Sequence, residues 1–118
     1  MTDDQPAGWL PRDEGLSIGE TGSEGGVILR DDEYGGGARI TLERGGAISP
    51  FAITCGVYGW MVHTRFFSTR DEAEREYAAM QPELAALADG VPLSSDPDVE
   101  AKRDAVYDAL SRFLDRFP

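Results

Sequence analysis

FAITCGVYGWMVHTRFF, residues 51–67, holds the chain's single cysteine, its single histidine and one of its two tryptophans. Its flanks are rich in β-branched and aromatic residues and its middle carries glycines, the pattern of a β-hairpin. Whether Cys55 and His63 can act together depends on the turn between them. In FAITCGV the residues Phe51, Ile53, Cys55 and Val57 point one way and Ala52, Thr54 and Gly56 the other, because side chains alternate along a strand. In WMVHTRFF, Trp60, Val62, Thr64 and Phe66 oppose Met61, His63, Arg65 and Phe67. A two-residue turn at Tyr58-Gly59 pairs Cys55 with Val62, and a four-residue turn from Gly56 to Gly59 pairs it with Trp60. Either closure sends thiol and imidazole to opposite faces, where they cannot share a proton. A loop of three or five residues would reverse the parity and bring back a Cys/His dyad. The first arrangement is the one expected: Cys55 a small buried hydrophobe beneath the helices, His63 an exposed strand residue.

Glycine clusters at Gly25-Gly26, Gly35-Gly36-Gly37 and Gly45-Gly46 punctuate the chain upstream of the hairpin. The runs VILRDDEY, ARITLERG, SPFAITCGV and WMVHTRFF then predict four strands of an antiparallel meander, with GLSIGE (15–20) a possible fifth. After Phe67 the period changes. Thr69-Arg-Asp-Glu72 is a capping box, and Ala73, Tyr77, Met80, Leu84 and Leu87 follow at helical spacing. Pro82 predicts a kink or break near Gln81, and Asp89-Gly90 a stop. A second helix opens with Asp96 as N-cap and Pro97 at its first position. Its apolar stripe is Val99, Val106, Leu110, Phe113 and Phe117, widened by Tyr107 and Leu114.

Strands first and helices last is the order of an α+β domain. The expected fold is a four- or five-stranded antiparallel meander sheet with two C-terminal helices packed on one face. Residues 15–118 form its single domain. Residues 1–14, polar and proline-containing, read as a mobile N-terminal segment in which Trp9-Leu10 is the exception that docks.

A chain of 118 residues can bury one core without disulfides or a structural metal. No apolar run reaches the roughly 18 residues of a membrane span, and the acidic N-terminus is unlike a secretory signal. The lone cysteine suits a reducing compartment, so the expected location is cytoplasmic. Ten of the eleven basic residues are Arg, a bias of GC-rich bacterial genomes. The net charge of −11 argues against nucleic acid. That charge is unevenly spread: residues 37–67 carry three basic side chains against one acidic, and both flanks are strongly acidic.

The same parity puts Arg39, Thr41, Glu43, Ala52, Thr54, Met61, His63, Arg65 and Phe67 on the face away from the helices. Met, Phe and Arg are enriched at interfaces, so Met61, His63, Arg65 and Phe67 are the candidate contact residues. Three occupants of this face compete: a second copy, the chain's own N-terminal segment through Trp9 and Leu10, and solvent. The second copy is favoured, closed two-fold pairs being the commonest oligomers. A basic protein partner, drawn by the acidic exterior, is a further candidate.

Other motifs carry less. Asp31-Asp32-Glu33 lacks the spacing of a calcium loop and reads as a solvated turn. Gly35-Gly36-Gly37 lacks the Lys-Ser/Thr pair of a phosphate loop and reads as a hairpin turn. No metal set or cofactor motif is evident. Thr54, His63 and Glu43 on one face would give hydroxyl, imidazole and carboxylate, but no oxyanion donor accompanies them. The function expected is therefore non-enzymatic, through protein contacts and as a homodimer. The alternative is a small anionic ligand or weak catalysis around His63, Arg65, Thr54 and Arg39, two guanidinium groups being suited to a carboxylate or phosphate.

Overall fold

The computed structural model describes residues 5–118. It is an α+β fold in which five antiparallel strands, in the spatial order of the sequence, are followed by two helices. The strands are β1 (Trp9–Pro11), β2 (Val27–Tyr34), β3 (Ala38–Arg44), β4 (Phe51–Val57) and β5 (Met61–Phe67). The fifth strand is not GLSIGE. Gly15 and Gly19 there have φ of 89° and 91°, and Asp13 and Glu14 just before them also adopt left-handed backbone, so the segment coils into turns. Trp9-Leu10 supplies the extra strand instead: Trp9 pairs with Tyr34 and is buried in the core, and Leu10 is exposed.

Helix α1 (Arg70–Gly90) begins where the capping box places it, with the Thr69 hydroxyl accepting from the Glu72 amide at 3.3 Å. Ala73, Tyr77, Met80, Leu84 and Leu87 are all buried against Ala38, Ile40, Leu42, Ile53, Cys55 and Val57 in one apolar cluster. The expected break at Pro82 does not occur, and α1 runs through it. A proline removes one amide donor, a smaller loss than unseating the buried Met80, Gln81 and Leu84 on either side of it.

Helix α2 (Val99–Arg116) starts later than its sequence suggests. Asp96 does not cap it; its carboxylate accepts from the Leu93 amide at 2.9 Å and lies 3.4 Å from the Lys102 ammonium, closing the preceding turn. Val106, Leu110, Phe113 and Phe117 are buried, whereas Tyr107 and Leu114 are exposed, so the apolar stripe is narrower than expected. Tyr107 packs instead on Trp60, ring centroids 5.4 Å apart, tying the β4–β5 turn to α2. No helix among the described residues is long and apolar enough to cross a membrane.

Asp31 and Asp32 are buried strand residues on opposite faces of the sheet and not part of a solvated turn. Asp32, on the helix side, accepts from the Tyr77 hydroxyl and from Gln5, with Arg30 at 3.7 Å. Burial and the Asp32 charge both push the Tyr77 phenol far above its ordinary value. Asp31, on the other side, takes a two-pronged hydrogen bond from Arg39.

Candidate functional site

The β4–β5 turn decides which side chains reach which surface. Val57 pairs with Met61, leaving the three-residue loop Tyr58-Gly59-Trp60. The Trp60 amide donates to the Val57 carbonyl at 2.9 Å, and Gly59 sits at φ 82° in the position that needs positive φ in a type II turn. Trp60 is then the odd residue that shifts the alternation by one. Cys55 faces His63, Thr54 faces Thr64 and Gly56 faces Val62.

This overturns the expected parity on β5. Met61, His63, Arg65 and Phe67 project toward the helices, and Val62, Thr64 and Phe66 occupy the open face in their place. The grouping of His63, Arg65, Thr54 and Arg39 is therefore split by the sheet: Thr54 and Arg39 lie on the open face, His63 and Arg65 on the covered one. The hydroxyl, imidazole and carboxylate set is divided in the same way, with Thr54 and Glu43 opposite His63.

Cys55 and His63 now share a face, yet the pair is not set up as a nucleophile and base. His63 Nε2 lies 2.7 Å from the Phe117 carbonyl, and because a carbonyl only accepts, that nitrogen carries the proton. The Cys55 thiol is buried, and desolvation pushes its pKa up to about 12 despite the opposing pull of Arg65. Thiolate, the reactive form, is scarce at neutral pH. Arg65 is equally committed. Its side chain is 11% exposed, donates to Glu76 at 2.8 Å and to the Pro118 carbonyl at 3.2 Å, and lies over the rings of Phe67 and Phe117. These two side chains fasten residues 117–118 to the sheet.

The open face is built differently. The segment between β1 and β2 doubles back across it as a strap, held by Glu43. That buried carboxylate accepts from the amides of Gly26 at 2.8 Å and Glu24 at 3.1 Å. Gly22 of the strap passes so close that a Cβ there would meet the carboxylate at 2.3 Å. A hydroxyl ladder runs from Ser23 through Thr54 to Thr64, each step 3.3 Å, and the Thr41 hydroxyl donates to the Thr54 carbonyl. Coverage by the N-terminal part of the chain is thus partial and comes from the strap, since Trp9 lies on the helix side.

Between strap and hairpin turn the open face forms a groove of about 560 Å³. Ser23, Thr41 and Thr54 offer hydroxyls, Trp60 and Val62 apolar surface, and Arg39 the single charge that the described residues bring to the lining. Tyr58, also in the lining, is fixed by donating to Glu33 at 2.9 Å, which raises its pKa after burial itself. Sequence reasoning named Arg39 and Thr54 but missed the strap. Its only signal was the glycine density flanking residues 22–26, where backbone must approach Glu43 closely. Among the described residues no group of three or more His, Cys, Asp or Glu side chains is placed to hold a metal ion. Compared with family models, curated proteins and solved structures, the chain gives no match.

Proposed function

We propose that the chain acts through protein contacts and that its partner is a second copy, joined edge to edge along β5. The observation that carries this reading is the character of that edge. β5 is seven residues long, contains neither proline nor acidic side chain, and presents Val62 at 81% and Phe66 at 43% exposure. An extended apolar edge of this kind offers unpaired backbone groups to another strand.

Two further points favour a second copy as the occupant. Antiparallel pairing about a two-fold axis at Thr64 sets Val62 against Phe66 and Met61 against Phe67 in both directions, so one patch serves both partners. The same pairing sets His63 against Arg65, each already engaged by its own chain at Phe117 and Pro118. The second point is charge. The chain carries −11 overall, but β5 itself holds one Arg and no acidic side chain, so two paired β5 edges bring no carboxylate of their own strands face to face.

Sedimentation equilibrium tests the proposal. The expected result is twice the chain mass, with association tightening as salt screens two like-charged molecules. Val62→Lys/Phe66→Lys, at exposed positions, returns the monomer with unchanged circular dichroism. A monomer at every salt concentration overturns the reading. So does a monomer that captures a basic protein at low salt and releases it at high salt.

A further inference from the structure

The groove on the open face is a second site, which shares Val62 with the β5 edge but draws its polar groups from other elements, and its chemistry is specific. Its volume of about 560 Å³ falls in the range of small-molecule sites, which are mostly apolar with a few fixed polar groups. The charge distribution is the informative part. The chain has 22 acidic residues, yet no acidic side chain among the described residues lines the groove, and Arg39 does. Arg39 is held rather than spent. Asp31 engages its Nε at 2.9 Å and Nη2 at 2.7 Å, and Nη1 has no hydrogen-bond partner among the described residues.

We propose that this groove binds a small monoanion with an apolar, ring-sized body, the anionic group at Arg39 and the hydroxyls of Ser23 and Thr54, the body against Trp60 and Val62. The buried Asp31 does for Arg39 what a supporting residue does in a built site: it fixes the guanidinium plane before the ligand arrives. Gly56 keeps the floor low. A Cβ there would meet the Met61 carbonyl at 3.1 Å, so the residue is small where backbone and ligand surface come closest. Anion selectivity then rests on the Nη1 side of one guanidinium, in a lining with no carboxylate among the described residues, within a molecule of net charge −11.

The experiment compares two fluorescent probes of similar body: 8-anilinonaphthalene-1-sulfonate, which is anionic, and N-phenyl-1-naphthylamine, which is neutral. The native chain is expected to bind the anionic probe saturably, one per chain. Arg39 alone cannot be removed without stranding a buried carboxylate, so the variant is Asp31→Asn/Arg39→Gln, which keeps a neutral hydrogen-bonded pair. It should weaken the anionic probe about tenfold and leave the neutral one within about threefold. Ser23→Glu, at an exposed strap position, should have the same sign while preserving the fold. Neither change touches β5, so both variants keep the native sedimentation behaviour, and the outcome does not depend on how the edge reading fares. Absence of saturable binding overturns the proposal. Binding that ignores both variants also overturns it, because the probe would then sit elsewhere, as in the crease between α1 and α2 beside Arg112 and Arg116.

Discussion

The two edges of the sheet obey different rules. β1 is three residues long, ends at Pro11, which has no amide to donate, and runs straight into left-handed backbone at Asp13 and Glu14. It is a blunted edge, short and broken, of the kind that resists further pairing. β5 has none of these devices. It is also anchored differently: β1 by one large side chain, Trp9, buried in the core and packed on Tyr34, β5 by polar hooks to residues 117–118. One edge is closed by its backbone and secured by apolar surface. The other is secured from beneath and left open along its length.

The largest effect should come from the closed edge. Trp9→Ala is expected to destabilise the fold by about 3–5 kcal/mol, the usual range for emptying a buried aromatic site, without altering sedimentation mass. Chemical denaturation measures the first and centrifugation the second. A loss below about 1 kcal/mol would mean that Trp9 is not the anchor described.

Next in size is the anchor of the open edge. Arg65→Ala removes the hooks to Glu76 and the Pro118 carbonyl and leaves the buried face of Phe117 uncovered. A cost of about 1–3 kcal/mol is expected, together with faster amide exchange in the last turn of α2. Uniform exchange would separate residues 117–118 from the stability of β5.

Beneath that edge, Cys55 gives a pH dependence of defined sign. Its pKa is raised from 9.0 to about 12 in the folded state, so the unfolded chain loses its proton first as pH rises. Stability is therefore fully present below pH 9 and declines between pH 9 and 12, with about 1 kcal/mol lost by about pH 10. Tyr77, also raised, adds a slope of the same sign, so the measurement is the difference between the native chain and Cys55→Ala. If the two urea-unfolding curves keep a constant offset from pH 8 to pH 10.5, the thiol is not held in the apolar environment described.

The smallest effect on stability belongs to the open edge itself. Val62→Lys/Phe66→Lys should change the monomer by no more than about 0.5 kcal/mol, although the same pair decides association. A large loss would show that these side chains pack within the chain.

Much of this architecture was legible because local chemistry and global fold agree. Four strands and the start and stop of α1 followed from glycine spacing, alternation and a capping box. The inward placement of Cys55 was legible too, since it depends on β4 alone. The faces of β5 were not, because they depend on whether the turn holds two, three or four residues, and Tyr58-Gly59-Trp60 admits each on composition. That single residue carried His63 and Arg65 from the expected site to the core side. The strap was hidden for another reason: Glu43 reads as an ordinary outward strand residue, and its partners are backbone amides, which leave no mark in a sequence. Likewise the depth of Asp31 and Asp32 depends on Arg39 and Tyr77 arriving from other elements.

The hooks on Phe117 and Pro118 also bear on how the chain is made. His63 precedes its acceptor by 54 residues, so the contact forms only once α2 is in place. Should the hairpin first close one residue out of step, imidazole and guanidinium would lie on the wrong side when α2 docks, and the arriving carbonyls would find no donors. Contacts to residues 117–118 thus add stability only to the alignment in which Trp60 is looped out.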